Sequence, residues 1–286
     1  MGTINWADKC PAALSALVLL QEYGRDEGRA NLDQVVDYLV RAPRNELGSL
    51  DHLGQGNVLS FFVPGSIWVD SLMMWALLAV QYGMVQNDSL AQFGLDQPLI
   101  FANLLRDANT GLFHHAWHVA EARTFPRHNA FWLRGNGWVL VSLVEMLSAL
   151  DTDHPQYEPL AQLFVDLATS LESYRQPSGY WDTVVAEPGF AYEESSGTAL
   201  VAYAWAKGNR LGLLPDRFRG QARDSLQAIV SRMRRRPPGF TMEEISRGTN
   251  PSFRWGYRLV PKDRNISCGV GALLLLSAEL ADDEFH

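Results

Sequence analysis

The sequence predicts an all-α chain closed into a helical toroid, an α/α barrel, and three observations carry that reading. Apolar residues recur with helical period along most of the chain, while strand-like alternation is scarce. Three loops, "NTGLFHHAW", "PSGYWDTV" and "PPGFTMEE", each follow a long helix and place a glycine (Gly111, Gly179, Gly239) before an aromatic residue. After each loop comes a helix rich in small residues: "RGNGWVLVSLVEML", "EESSGTALVAYAWAKG" and "NISCGVGALLLLSAEL". Arg134 lies 64 positions after Asp70 and Gly197 lies 63 after Arg134, so the repeat is a helical hairpin of about 60 residues. Small residues let inner helices crowd together, as a toroid requires. A tetratricopeptide-like solenoid has a shorter repeat, nearer about 34 residues, with short uniform turns.

Taken in order, the pattern predicts helices near 6–22, 31–43, 67–83, 89–107, 134–150, 155–175, 193–212, 215–235 and 265–282, several ended by Gly or Pro. The first apolar run, "PAALSALVLL", has the length of a signal-peptide core. It lacks a basic leader, carries Asp8 just upstream and runs into "QEYGRDEGRA" without a cleavage site, so it reads as an amphipathic helix. No run approaches the roughly 18 apolar residues of a membrane span. A cytoplasmic address and no membrane partner are expected. No Pro-, Ser- or charge-rich linker divides the chain, so residues 1–286 are expected to form a single domain.

Composition narrows the partner. The net charge of −8 argues against nucleic acid, which asks for a basic surface. Nine Trp, nine Tyr and thirteen Phe suit a ring-shaped ligand such as a sugar, and suit helix packing equally. Two cysteines, Cys10 and Cys268, imply neither a disulfide framework nor a zinc site. "RMRRRPP" reads as the solvated basic end of a helix.

If inner helices start at one mouth, "WVD" (68–70), "HHAWH" (114–118), "RGNGW" (134–138) and "YEESSG" (192–197) converge there. Asp70 heads an apolar helix two residues after Trp68. It is either a helix-start carboxylate favoured by the dipole, with Ser66 as a cap, or a proton donor whose pKa is raised by burial. Asp51, in "LDHLGQGN", is a second candidate carboxylate or a turn residue. His114, His115 and His118 crowd one loop, but their spacing matches no metal-ligand motif, and neither metal nor cofactor is expected. His115 and His118 suit contacts to substrate hydroxyls. Arg134 can hold a carboxylate bidentately, and Trp138, one turn later, can stack on a sugar ring; the competing reading is an ion pair and a core Trp. Glu193 and Glu194 are explained by a helix start. The loop "RWGYRLVPKDRN", with Arg254, Tyr257, Arg258 and Lys262, forms a candidate anion-receiving edge.

Together these motifs resemble the unsaturated uronyl hydrolases, the family of unsaturated rhamnogalacturonyl and unsaturated glucuronyl hydrolases. "WVDSLMM", "GLFHHAW", "FWLRGNGWVLVSLVEML", "YEESSGTALVAYAWAKGNRLG" and "CGVGALLLLSAEL" occur in the family's order over roughly residues 66 to 282. The resemblance implies an (α/α)6 six-hairpin barrel and Asp70 as catalytic acid/base. It implies a pocket lined by Trp68, His115, Trp117, Arg134 and Trp138, with no cofactor. The substrate it implies is a small oligosaccharide ending in a 4,5-unsaturated uronic acid, released by hydration of the C4=C5 bond. The chain departs from the family in three ways. His118 stands where an acidic residue is common. Nine helices are predicted rather than twelve, a barrel shortened on its N-terminal side. A second, early Asp has no secure match, with Asp51 the nearest. Other readings are a saturated glucuronidase or sugar epimerase on the same barrel, or a non-catalytic carbohydrate-binding relative.

Overall fold

The computed structural model describes residues 4–55, 65–128, 130–237 and 239–281. Helices dominate: α1 (Ala12–Tyr23), α2 (Arg29–Arg41), α3 (Leu77–Gln86), α4 (Asp88–Leu105), α5 (Leu133–Ala149), α6 (Tyr157–Glu172), α7 (Ser195–Arg210), α8 (Asp216–Arg232), the short α9 (Arg254–Leu259) and α10 (Ser267–Ala281). Helix α3, α5, α7 and α10 pack side by side in chain order, while α4, α6 and α8 pack behind them as outer partners. The two layers differ as their sequences dictate. α7 is buried from Ser195 through Gly208 without interruption, whereas α8 buries one stripe of Phe218, Ala222, Ser225 and Ile229.

Small residues permit this crowding. A Cβ on Gly137 would lie 2.9 Å from Leu200 of α7, and one on Gly197 would lie 2.5 Å from Leu133 of α5. The α3–α4 contact is tighter still, since a Cβ on Gly83 would meet the Ala91 backbone nitrogen at 2.3 Å.

The structure corrects the predicted 67–83 helix at its start. Ser66–Trp68 is a strand, β1; the chain then turns through Val69 and Asp70, and the helix opens with a π turn, Leu72–Ala76, that continues into α3. β1 pairs antiparallel with β2 (Ala116–His118), and β2 with β3 (Arg123–Phe125). "RMRRRPP" is corrected as well. α8 stops at Arg232, and Arg234–Arg236 form an exposed strand, β4, paired with β5 (Gly239–Thr241) and bonded to Glu243 through Arg234. A last ribbon joins β6 (Ile245–Ser246) to β7 (Lys262–Asp263). One apolar core runs beneath all the inner helices, and a small second cluster of Ala130, Trp132, Val184 and Tyr257 lies apart from it. Among the described residues no helix is long and apolar enough to cross a membrane.

The close approach of α3 and α4 sets a test. Gly83→Ala should lower stability by about 1–3 kcal/mol, because backbone opposes the added methyl. Gly220→Ala, on α8 with nothing within 4 Å, should raise stability by up to about 1 kcal/mol through helix propensity. Thermal melts of both variants against the parent chain read the two signs.

Candidate active site

The three-stranded ribbon builds the site. Ser66 is opposite His118 and Trp68 is opposite Ala116, and the Val69 N–H donates to the His115 carbonyl at 2.8 Å. Side chains alternate along a strand, so Ala116 and His118 face one side and Trp117 the other. The facing side is a cavity of about 410 Å³ whose walls include Trp6, Asp8, Trp68, His118 and Phe125, with Asn250 and Pro251 from the loop after β6. Trp117, expected in the pocket, instead packs on the main core. Trp138 does the same, so neither indole lines this cavity.

Asp70 follows Trp68 at the turn into the π segment, where its backbone carbonyl accepts from Met73 and Met74. Ser66 does not cap that helix; its hydroxyl accepts from Trp68 Nε1 at 2.9 Å and fixes the indole at the cavity wall. The Asp70 side chain is 12 % exposed, and its Oδ1 is buried without a hydrogen-bond partner. It is not itself a wall residue. It adjoins His52, which does connect it to the wall: His52 Nδ1 lies 3.8 Å from Asp70 Oδ1, and the ring stacks on Trp68 with centroids 4.2 Å apart and planes 6° from parallel. On its far edge, His52 Nε2 lies 3.4 Å from Asp8 Oδ1, and Asp8 is 59 % exposed.

The two carboxyls are driven in opposite directions. Burial pushes Asp70 above the ordinary aspartate range, an effect that His52 opposes and Asp8 reinforces, with Arg134 the weakest group acting on it. The hydrogen bond with His52 holds Asp8 below that range. Asp8, His52 and Asp70 bring one ligand atom each within 4.8 Å of one another. The carboxylates nevertheless flank opposite nitrogens of the ring, and Nδ1 already shares a 2.8 Å hydrogen bond with the Ser71 hydroxyl. The ring bridges the acids rather than converging with them on a cation.

Asp51, the nearest match for a second carboxylate, is elsewhere. It accepts from Asn45 Nδ2 at 3.1 Å and Gln55 Nε2 at 3.3 Å and lines a separate cavity of about 800 Å³ with Asp33, Asp37 and Arg41. Sequence reasoning missed Asp8 and His52. The signal was present: "WAD" (6–8) repeats the Trp-x-Asp spacing of "WVD" (68–70), and both tryptophans line the cavity.

His115 is fully buried, stacked at 4.3 Å on Trp132 and edge-on to Trp68 at 5.9 Å. Its Nδ1 lies 2.8 Å from the Tyr257 hydroxyl, and its Nε2 has no partner. Burial, then the neighbouring His52 and Arg134, holds its pKa well below the ordinary histidine range, so the ring is neutral. His118 is half-buried at the wall, and burial lowers its pKa too.

Arg134 does not present a free guanidinium. One terminal nitrogen donates to the Ser246 carbonyl and hydroxyl, both at 2.7 Å, and the other to the Arg247 carbonyl at 2.8 Å. Glu194, 3.9 Å away, accepts from the N–H groups of Ser196, Gly197 and Ser246, capping α7 and holding the same loop. Of the expected anion-receiving edge, Arg254 pairs with Glu187, Lys262 pairs with Glu244 at 2.6 Å and Tyr257 is buried against His115, whereas the exposed Arg258 lies over the Phe190 and Trp255 rings and forms no ion pair among the described residues.

Comparison with known proteins shows the family and the fold. Over 250 residues the chain is 26% identical to "Unsaturated rhamnogalacturonyl hydrolase YesR" of Bacillus subtilis (strain 168), covering 86% of this chain and 69% of that protein. Over 151 residues it is 27% identical to an "Unsaturated 3S-rhamnoglycuronyl hydrolase" of Alteromonas sp. (strain LOR), covering 52% of this chain and 37% of that one. The fold matches a family 105 glycoside hydrolase of C. acetobutylicum with a TM-score of 0.87 at 23% identity, over 99% of this chain and 82% of that one. It also matches the unsaturated glucuronyl hydrolase of Bacillus sp. GL1 with a TM-score of 0.73 at 18% identity, over 96% of this chain and 73% of that one. The helical architecture is therefore that of the α/α-barrel hydrolases. The model of "Glycosyl Hydrolase Family 88" matches residues 3–282, and the chain belongs to that family.

Proposed function

We propose that this chain releases a terminal 4,5-unsaturated uronic acid from lyase-generated oligosaccharides, with Asp70 as the acid that protonates the double bond. The substrate class follows the names of the relatives, and family membership makes the chain a glycoside hydrolase. The observation that carries the catalytic assignment is the split between two aspartates across one imidazole. The desolvated carboxyl of Asp70 suits a proton donor, and Asp8, held low and facing the cavity, suits an anion that accepts hydrogen bonds from sugar hydroxyls.

The chemistry asks for little else. The C4=C5 bond beside the ring oxygen is an enol ether. Through the 12 % of its side chain that stays exposed behind the Trp68–His52 pair, Asp70 gives its proton to C4, and positive charge develops at C5 and the ring oxygen. Water adds at C5 and returns a proton to the Asp70 carboxylate, so the acid is regenerated. The hemiketal then opens and expels the remaining sugar. One carboxyl performs both proton transfers, so the paired-carboxylate spacing of ordinary glycosidases is not required. The Trp68 indole, covered on one face by the His52 ring, contributes apolar surface to the cavity wall. Arg134 serves here as the anchor of the cavity's loop. We place the reaction in the cytoplasm, a reading that the two free cysteines support.

Loss of the enol-ether absorbance on unsaturated disaccharides from pectin, ulvan and glycosaminoglycans measures the activity, and deuterium at C4 of the product in deuterated water identifies hydration. Asp70→Asn should lower kcat by at least about two orders of magnitude while leaving the circular dichroism intact; near-normal turnover removes Asp70 from the role. Activity should fall as pH rises through the Asp70 pKa, because the protonated form is the reactive one. Asp8 raises that pKa and His52 lowers it. The alkaline limb of kcat/KM should therefore move to lower pH in Asp8→Asn and to higher pH in His52→Gln, and pH profiles moving together in one direction contradict the arrangement.

A further inference from the structure

The row of inner helices ends at α10, which packs against α7 and α8 and leaves its other side to solvent. That side is exposed along Ser267, Gly271, Leu274, Leu275, Ala278 and Ala281, with Leu274 64 % and Leu275 41 % accessible. One exposed leucine is ordinary on a protein surface. A whole helix face without charge is not. The outer helix α8 exposes Asp216, Arg217, Arg223 and Asp224, whereas the single charged residue of α10, Glu279, is buried and bonded to Arg210. α10 is apolar on every side, the composition of a helix that is covered all round.

Gly271 adds a second anomaly. Glycine weakens a helix interior relative to alanine, and close packing is the usual reason for it. Every other glycine of α3, α5, α7 and α10 has that reason: an added Cβ would come closer than 3.0 Å to a neighbour at Gly83, Gly135, Gly137, Gly197, Gly208 and Gly269. At Gly271 it would meet nothing within 4 Å. The molecule itself shows what such a surface fits. Between α5 and α7, Leu200 covers Gly137 and Leu133 covers Gly197. α10 presents both halves of that contact, Gly271 and Leu274, on one face. Along the stripe the order is small, small, Leu, small, small (Ser267, Gly271, Leu274, Ala278, Ala281), and it reads the same in reverse. A surface unchanged by reversal fits itself across a twofold axis. Charge agrees, because copies of a chain of net charge −8 repel one another and this face lets them meet without opposing like charges. We infer that α10 docks antiparallel on the α10 of a second copy of this chain, each Leu274 entering the hollow between Gly271 and Ala278 of the other. The twofold axis continues the inner row as α7–α10–α10–α7.

Sedimentation velocity of the 286-residue chain across a micromolar concentration series tests this. The expected species has twice the 32.0 kDa mass of the chain. Leu274→Glu sets two carboxylates against each other at the axis and should weaken self-association at least about tenfold. Gly271→Leu, which fills the hollow, should act in the same direction. Leu259→Glu, at a comparably exposed leucine on α9, should leave the dimer intact. Positions 271 and 274 are exposed, so the circular dichroism of both α10 variants should match that of the parent. Leu274→Cys should give a covalent dimer under mild oxidation that the parent, with Cys10 and Cys268, does not give. A 32.0 kDa species at every concentration overturns the inference and assigns the face to a different polypeptide. A dimer that survives both α10 substitutions, or one that Leu274→Cys fails to cross-link, overturns it as well.

Discussion

The site depends on two charges that have no route back to water. Arg134 and Glu194 head adjacent inner helices and are almost wholly buried, 3.9 Å apart. Isolated, either would carry a desolvation penalty of several kcal/mol. Both are satisfied by the same stretch of chain, since Glu194 accepts from the Ser246 N–H and Arg134 donates to the carbonyls of Ser246 and Arg247 and to the Thr249 hydroxyl. That loop cannot leave without stranding both charges. It is also the loop that continues into Asn250 and Pro251, which wall the Trp68 cavity. Helix packing and cavity shape are thus set by one buried knot.

Within that frame, chemistry is separated by depth. Asp8 reaches the cavity from a short 3-10 turn, Ala7–Lys9, whose Ala7 N–H donates to the His52 carbonyl at 2.9 Å. Asp70 lies on the other side of the same imidazole, in the buried turn ahead of α3. Exposure and a hydrogen bond favour the anion at one, and burial favours the acid at the other. His115 contributes a neutral ring, braced between Trp132 and the Tyr257 hydroxyl.

Much of this was legible in the sequence. The small residues at the starts of α5 and α7 are where those helices approach most closely, and the Gly-aromatic loops do connect outer helices to the mouth. Asp70 and Trp68 were visible because an acid beside an indole at a helix start is out of place in an apolar run. What failed to register was short or non-local. Strands of three residues show no periodicity, so the ribbon that turns Trp117 inward and His118 outward left no pattern to read. The π turn cannot be told from an α-turn by spacing. Arg134 read as a carboxylate clamp because its partners lie 112 and 113 positions away. In sequence Asp8 reads only as an acid ahead of an apolar helix, and His52 only as the neighbour of the more obvious carboxylate Asp51.

The ribbon also governs how this mouth can change over generations. Shifting the β2 register by one residue would exchange Trp117 with His118, sending an indole into the cavity and an imidazole into the core. Insertions within the strands are therefore barred. The turn between β2 and β3 is under no such restraint: Ala120, Glu121 and Ala122 are exposed, and Ala122 already adopts a φ of 45°. Drift in length can accumulate there while the cavity wall stays fixed, which makes that tip the place where sister lineages can acquire new tastes without rebuilding the barrel.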